Sequence, residues 1–276
     1  MSPEADPTMD HEAIIRVFST VLRDPAVFEA VAADPDAGLA ELGLDAATRE
    51  AMLAHGPGRL FAYHRMVHSR LRRTVRKLIG PAAAVLGRER LHAEVDAWID
   101  VEGPRSGIFR DVVGEFADWA VERWAADDAL PPWLAPLAAH GALRWRLRND
   151  PRVVEAPSEA KIDLERAVAC NATASVQRYA WAVHRVPAEP GPEEAPEQRE
   201  VAVAIFRDAK GKVRELELEP RLAAMLERLL AGQTLREALF GACEATGQAL
   251  DDEILKETAL ALADWCERHL LLGGTE

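Results

Sequence analysis

Apolar positions recur three and four apart through the first 150 residues, then change to alternation beyond residue 170. The first rhythm predicts helices and the second predicts strands. His11–Leu22 and Ala46–Ala54 read as short amphipathic helices, separated by Asp, Pro and Gly punctuation around Asp34-Pro35-Asp36 and Gly43. A longer helix is written by Leu60, Tyr63, His64, Val67, Leu71, Val75 and Leu78, which line one face. Gly80-Pro81 stops it, because proline cannot donate to the helical ladder. Three more follow: about Arg88–Ile99, Gly107–Ala125 with Ser106 as N-cap, and a helix opened by Pro131-Pro132 that runs to about Leu147.

After Asn149-Asp150-Pro151 the pattern changes. Ser175–Val183 alternates, with Gln177, Tyr179, Trp181 and Val183 on one side and Arg178 on the other. Pro187–Glu200 is rich in Pro and Glu and predicts a solvated loop. Val201–Phe206 and Val213–Leu218 flank a short turn at Asp208-Ala209-Lys210-Gly211, the signature of a β-hairpin. Both faces of Val201–Phe206 are apolar, so a covering layer is expected on each. Three helices come next. The first carries Leu222, Met225, Leu226, Leu229 and Leu230 and ends at Gly232; the second opens with the capping box Thr234-x-x-Glu237. The third spans about Asp251–His269, its apolar side assigned to Leu255, Ala259, Leu262 and Cys266. Leu270–Leu272 could add an edge strand.

The expected fold is therefore a mainly α N-terminal domain followed by a small α+β domain, a hairpin plus three helices of winged-helix type. Three regions are expected: an acidic helical segment 1–58, a helical domain 59–150 and the α+β domain 151–276.

Composition narrows the function classes. The chain has 276 residues, 49% of them hydrophobic and 29% charged, in keeping with a globular protein. No apolar run approaches the roughly 20 residues of a membrane span. The acidic start lacks a secretion signal, and three widely spaced cysteines, Cys170, Cys243 and Cys266, suit a reduced compartment. A cytoplasmic location is the resulting expectation. The net charge of −13 opposes general nucleic-acid affinity. It is unevenly spread: residues 1–58 hold 11 acids and 3 bases, whereas residues 59–92 hold 1 acid and 9 bases.

Catalytic signatures are absent. There is no GxSxG, HExxH, P-loop or GxGxxG, and the carboxylates show no pairing suited to acid–base work. No catalytic residue, metal ligand or cofactor is assigned. His64 and His68 are one helical turn apart, a spacing that can hold a metal. They lack a third ligand nearby, and the structural reading is preferred. The two helices on either side of Gly232 have a helix-turn-helix outline. The second offers only Arg236 to a DNA duplex, beside Glu237 and Glu244. The sheet is more suggestive, because an extended peptide can pair with an open strand edge and place side chains in a neighbouring groove.

Residues 59–150 resemble the HvfC and BufC family, which carries a DNA-binding label. The resemblance rests on a basic helix bearing Tyr63, then Pro81, Leu86-Gly87 and Pro104-Arg105-Ser106. The segment VAVAIFRDAKGKVRELELEPRLAAMLERLLAGQTLREAL is similar to the strand–turn–strand and following helices of the same proteins. With the similar TglI and MbnC types, the family implies a non-catalytic partner of a multinuclear non-haem iron oxidative enzyme. Such a partner captures a ribosomal precursor peptide and presents it for modification, with iron held by the enzyme. The hairpin-then-helices order also resembles the peptide-recognition elements typified by PqqD.

On this reading a leader peptide pairs with a strand among Ser175–Val183 and Val201–Phe206. Tyr179, Trp181, Val203, Ile205 and Phe206 supply apolar contacts, and Arg178 and Arg207 supply charge. The enzyme docks through Arg65, Arg72 and Arg76. A transcriptional regulator is the alternative.

Overall fold

The computed structural model describes residues 11–54, 56, 58–106, 108–191 and 194–275. Its helical half comprises α1 (His11–Arg23), α2 (Pro25–Ala33), α3 (Pro35–Glu41), α4 (Ala46–Leu53), α5 (Gly58–Leu78), α6 (Gly80–Leu86), α7 (Arg88–Val101), α8 (Phe109–Ala125) and α9 (Leu134–Arg148). The second half comprises β1 (Val168–Cys170), β2 (Ser175–Tyr179), β3 (Val201–Arg207), β4 (Val213–Leu218), α10 (Pro220–Leu230), α11 (Leu235–Thr246), α12 (Asp252–Glu267) and β5 (Leu271–Gly274). A helical region followed by small sheets and helices is thus the fold. No helix among the described residues is long and apolar enough to cross a membrane.

Two compact units emerge, Met1–Lys77 with Leu86–Trp119, and Leu78–Val85 with Ala120–Glu276. Their limits do not fall at residues 58 and 150, because α9 packs on β3 and β4 and belongs with the sheet.

In the first unit, α2 and α3 occupy the stretch that the sequence reading treats as punctuation. The Asp-Pro pairs start helices here. Asp24 accepts from the N–H groups of Ala26 and Val27, and Asp34 accepts from Ala37 N, each with proline in the first turn. A proline has no N–H to leave unsatisfied at that position, so Asp-Pro both ends one helix and caps the next. Val17, Val21, Val31 and Leu39 form the small core of α1–α4, joined by Phe18, Phe28 and Phe61. Trp98 and Phe116, both buried, meet edge to face with centroids 5.7 Å apart.

The second unit holds two sheets. In the larger one the strands run antiparallel in the order β2-β3-β4, with β3 in the centre. One face of β3, Ala202, Ala204 and Phe206, joins the main core with Met225, Leu226, Leu229, Leu239 and Trp265 of the three helices. The other, through Val201 and Val203, packs with Tyr179 and Ala182. This meets the expectation of cover on both faces. Gly211 closes the hairpin at φ 72°, a left-handed conformation that suits a residue without Cβ. The Thr234–Glu237 capping box is complete, each side chain bonded to the other's backbone N–H.

Three local expectations are corrected. The strand expected over Ser175–Val183 ends at Tyr179, since Ala182 N turns to bond Glu197 O and Val183–Arg185 form a 3-10 turn. The buried residues of α12 are Ile254, Thr258 and Trp265; of the expected apolar side, Leu262 and Cys266 pack half-buried on the core, whereas Leu255 is 46% exposed and Ala259 is exposed too. β5 pairs with β1 in a separate two-stranded sheet and does not border β2 or β4.

Candidate peptide-binding edge

The three-stranded sheet has two edges, β2 and β4, and among the described residues no further strand pairs with either. The hairpin sets the phase of the ladder. Asp208 N bonds Lys212 O, so Phe206–Arg214, Ala204–Leu216 and Ala202–Leu218 are the pairs whose backbone groups face one another. The backbone N–H and C=O groups of Val213, Glu215 and Glu217 consequently point outward, along the free edge of β4.

A cleft of about 490 Å3 flanks that edge. Phe206 forms its floor, Arg214 and Leu216 of β4 one wall, and Arg268 and His269 at the end of α12 the other. Asp208 shapes its closed end. Its Oδ1 accepts from Lys210 N and Lys212 N, both at 2.9 Å, and its Oδ2 accepts from Arg214 Nε at 2.7 Å. The buried Asn171 ties the two walls together, donating from Nδ2 to Arg207 O and to His269 O, each at 2.8 Å. Asn171 had no sequence signal. A lone Asn outside any motif reveals its role only when its two partners, 36 and 98 residues away, are in place.

The opposite face of the sheet is polar where it meets α9 and the 3-10 turn. His140 Nδ1 is 2.9 Å from Tyr179 Oη, and His140 Nε2 lies 3.3 Å from Glu215 Oε1. Arg144 donates to the same carboxylate at 2.6 Å. Next to it, Glu217 accepts from Arg199 and Arg185, both at 2.7 Å, and pairs with His184 Nε2 at 2.9 Å. The hydrogen bond from Arg199, then those of His184 and Arg185, outweigh the cost of burial and hold the Glu217 carboxyl down at about 2. For Glu215 burial opposes ionisation, but the His140 and Arg144 charges prevail and its pKa is lowered too. Burial raises the Tyr179 phenol, helped by the Glu215 charge, and burial lowers His184 despite Glu217. These pairs anchor the outward-facing strand from behind, which keeps an unpaired edge in an extended shape.

The expected site residues divide sharply. Val203, Ile205 and Phe206 are at most 1% exposed in the central strand, bonded on both sides, so Val201–Phe206 presents no edge. That expectation is corrected: two apolar faces make a strand central, and a central strand has no free backbone. Tyr179 faces His140, and Trp181 is half-buried in the bend after β2. Arg178 is exposed on β2 but forms a bidentate pair with Glu227 of α10, at 2.8 and 3.0 Å. Arg207 donates to Asp150 O at 2.8 Å and to Arg152 O, holding the end of β3 against the chain that leaves α9. It is committed inside the fold.

On α5, Arg65 and Arg76 are exposed. Arg72 is half-buried and grips both carboxylate oxygens of Asp96, which also lies 3.3 Å from His68 Nδ1. His64 stacks between Phe28 and His68, a packing role. Among the described residues no group of three or more His, Cys, Asp or Glu side chains is placed to hold a metal. The three cysteines are free thiols, and burial pushes Cys170 up to about 11. The single base of α11, Arg236, is paired with Glu165, its Nε 2.6 Å from the carboxylate.

No curated protein matches the chain. Residues 171–266, which hold the three-stranded sheet, the cleft and the three helices, match the family described as the HvfC C-terminal domain.

Proposed function

We propose that this protein is a non-catalytic recognition subunit that binds an extended peptide along β4 and presents it to a partner enzyme. The observation that carries this reading is the bare β4 edge, whose outward residue Glu215 borders, with Arg214 and Leu216, a cleft floored by Phe206. Strand addition needs both parts: free backbone groups for affinity and a neighbouring groove for side chains. The match of residues 171–266 to the HvfC C-terminal domain supports a ribosomal precursor peptide as the ligand and a multinuclear non-haem iron oxidative enzyme as the partner, with iron in that enzyme. Arg65 and Arg76, exposed on α5, are the side chains offered to the enzyme; Arg72 serves Asp96 instead.

The test begins with the tagged full chain recovered from its native host and its bound proteins identified by mass spectrometry. An iron-dependent oxidative enzyme together with a short peptide is the expected yield. Val213→Pro then removes one outward N–H while sparing the ladder to β3, a substitution that edge strands tolerate. Peptide capture should fall about tenfold or more, with enzyme association intact. Retention of duplex DNA in place of enzyme and peptide would overturn the reading in favour of a regulator. Unchanged capture by Val213→Pro would remove β4 as the docking strand.

A further inference from the structure

The first unit contains a concavity that peptide recognition does not use. It has a volume of about 750 Å3, inside the range of small-molecule sites, and is walled chiefly by apolar side chains of α1, α4 and α5. Phe18, Leu22, Met52, Val67 and Leu71 line it. At its mouth Ile15 is 70% and Tyr63 44% exposed, an apolar lip that water covers at a cost.

Charge at the rim has one sign. Among the described residues, Arg23 and Arg59 are the charged residues that line the concavity and no carboxylate does, although residues 1–58 carry 11 acids against 3 bases. Arg23 spends one N–H on Pro104 O at 2.5 Å. The exposed Arg59 side chain has no ion-pair partner among the described residues. His68, whose ring nitrogens contact Asp96 and Leu22 O, forms a fixed part of the wall. An apolar chamber of ligand size with the exposed Arg59 guanidinium at one end fits a ligand with an apolar body and an anionic end.

We propose that this concavity binds a single-chain amphiphilic carboxylate of fatty-acid type. The hydrocarbon chain lies among Phe18, Leu22, Met52, Val67 and Leu71, and the carboxylate pairs with Arg59. Each methylene removed from water adds to the driving force, so even a twelve-carbon chain is drawn into the chamber. The Arg59 guanidinium then selects the sign of the head.

The test titrates the full-length protein with dodecanoate and, in parallel, with dodecyltrimethylammonium, each followed by isothermal calorimetry below its micelle concentration. Dodecanoate should bind saturably at one site and the cation markedly more weakly. Arg59→Glu should weaken dodecanoate about tenfold and narrow or reverse the preference. Val67→Trp fills the chamber and should abolish binding while the helical circular dichroism is kept; Met52→Trp serves if that variant does not fold. Absence of saturable dodecanoate binding would overturn the proposal. So would equal affinity for the two head groups, persistence of binding in a folded chamber-filling variant, or capture of an acidic amphipathic helical peptide in place of dodecanoate.

Discussion

The two sheets of the second unit treat their edges in opposite ways. Beside β1–β5 the chain supplies its own backbone: Ser158 N bonds Leu272 O, Gly274 N bonds Ala160 O, and Leu235 N and Arg236 N bond Arg166 O and Leu164 O. The approach is close. A Cβ on Gly274 would sit 2.2 Å from Lys161 O. Beside β4 nothing comparable is present among the described residues, and a cleft takes its place. A protein that closes one sheet so thoroughly has the means to close the other. Open edges carry a risk of aggregation, and the proposed docking of a peptide on β4 rests on this difference.

Three changes sharpen that contrast. Phe206→Ala, which empties the floor shared by cleft and core, should cost about 3–5 kcal/mol in denaturant unfolding and abolish peptide capture with it. By comparison Val213→Pro, on the same hairpin but outward, should cost well under 1 kcal/mol, so similar losses from the two would break the distinction between centre and edge. Gly274→Ala forces residues 160–161 away from β5 and should cost about 2 kcal/mol or more, without touching the β4 site. Peptide affinity that tracked this loss would link the two sheets.

A smaller effect concerns the acids behind β4. The Glu217 carboxyl is held at about 2 in the folded protein against an ordinary 4.5. A lowered folded pKa contributes stability that is present above the ordinary value and is lost as pH falls from 4.5 toward 2. Glu217→Gln should therefore flatten the stability profile within that window and leave its shape above pH 6 unchanged. The smallest expected change is Tyr179→Phe, which removes the hydroxyl at His140 Nδ1 and should cost about 1 kcal/mol in thermal or urea unfolding. An effect near zero would mean that packing alone orients the ring.

Much of the architecture was legible in the order of residues. Helix starts and stops are local events, and Thr234, Glu237 and Gly232 act within a few residues of where they stand. The hairpin was legible for the same reason, through Gly211 and the two-sided apolar run Val201–Phe206. Where the pattern was degenerate it misled. Adjacent apolar residues Ile254 and Leu255 could each begin the buried stripe of α12, and only the neighbouring elements decide between them. The candidate site was less legible still. An alternating pattern shows that a strand has two faces but not which strand stands at the edge, so the buried residues of β3 were expected to meet a peptide.

Sequence by itself determined most of the longer elements and the helical-then-mixed order, because those depend on spacing and on the backbone needs of neighbouring residues, though it did not determine α2, α3, α6 or β1. Tertiary structure decided which cations remain available. Arg72, Arg178 and Arg207 look alike as exposed bases, yet Asp96, Glu227 and the carbonyl of Asp150 claim them from 24, 49 and 57 residues away. Charge pairing acts through space, and that distance along the chain leaves no local pattern to read.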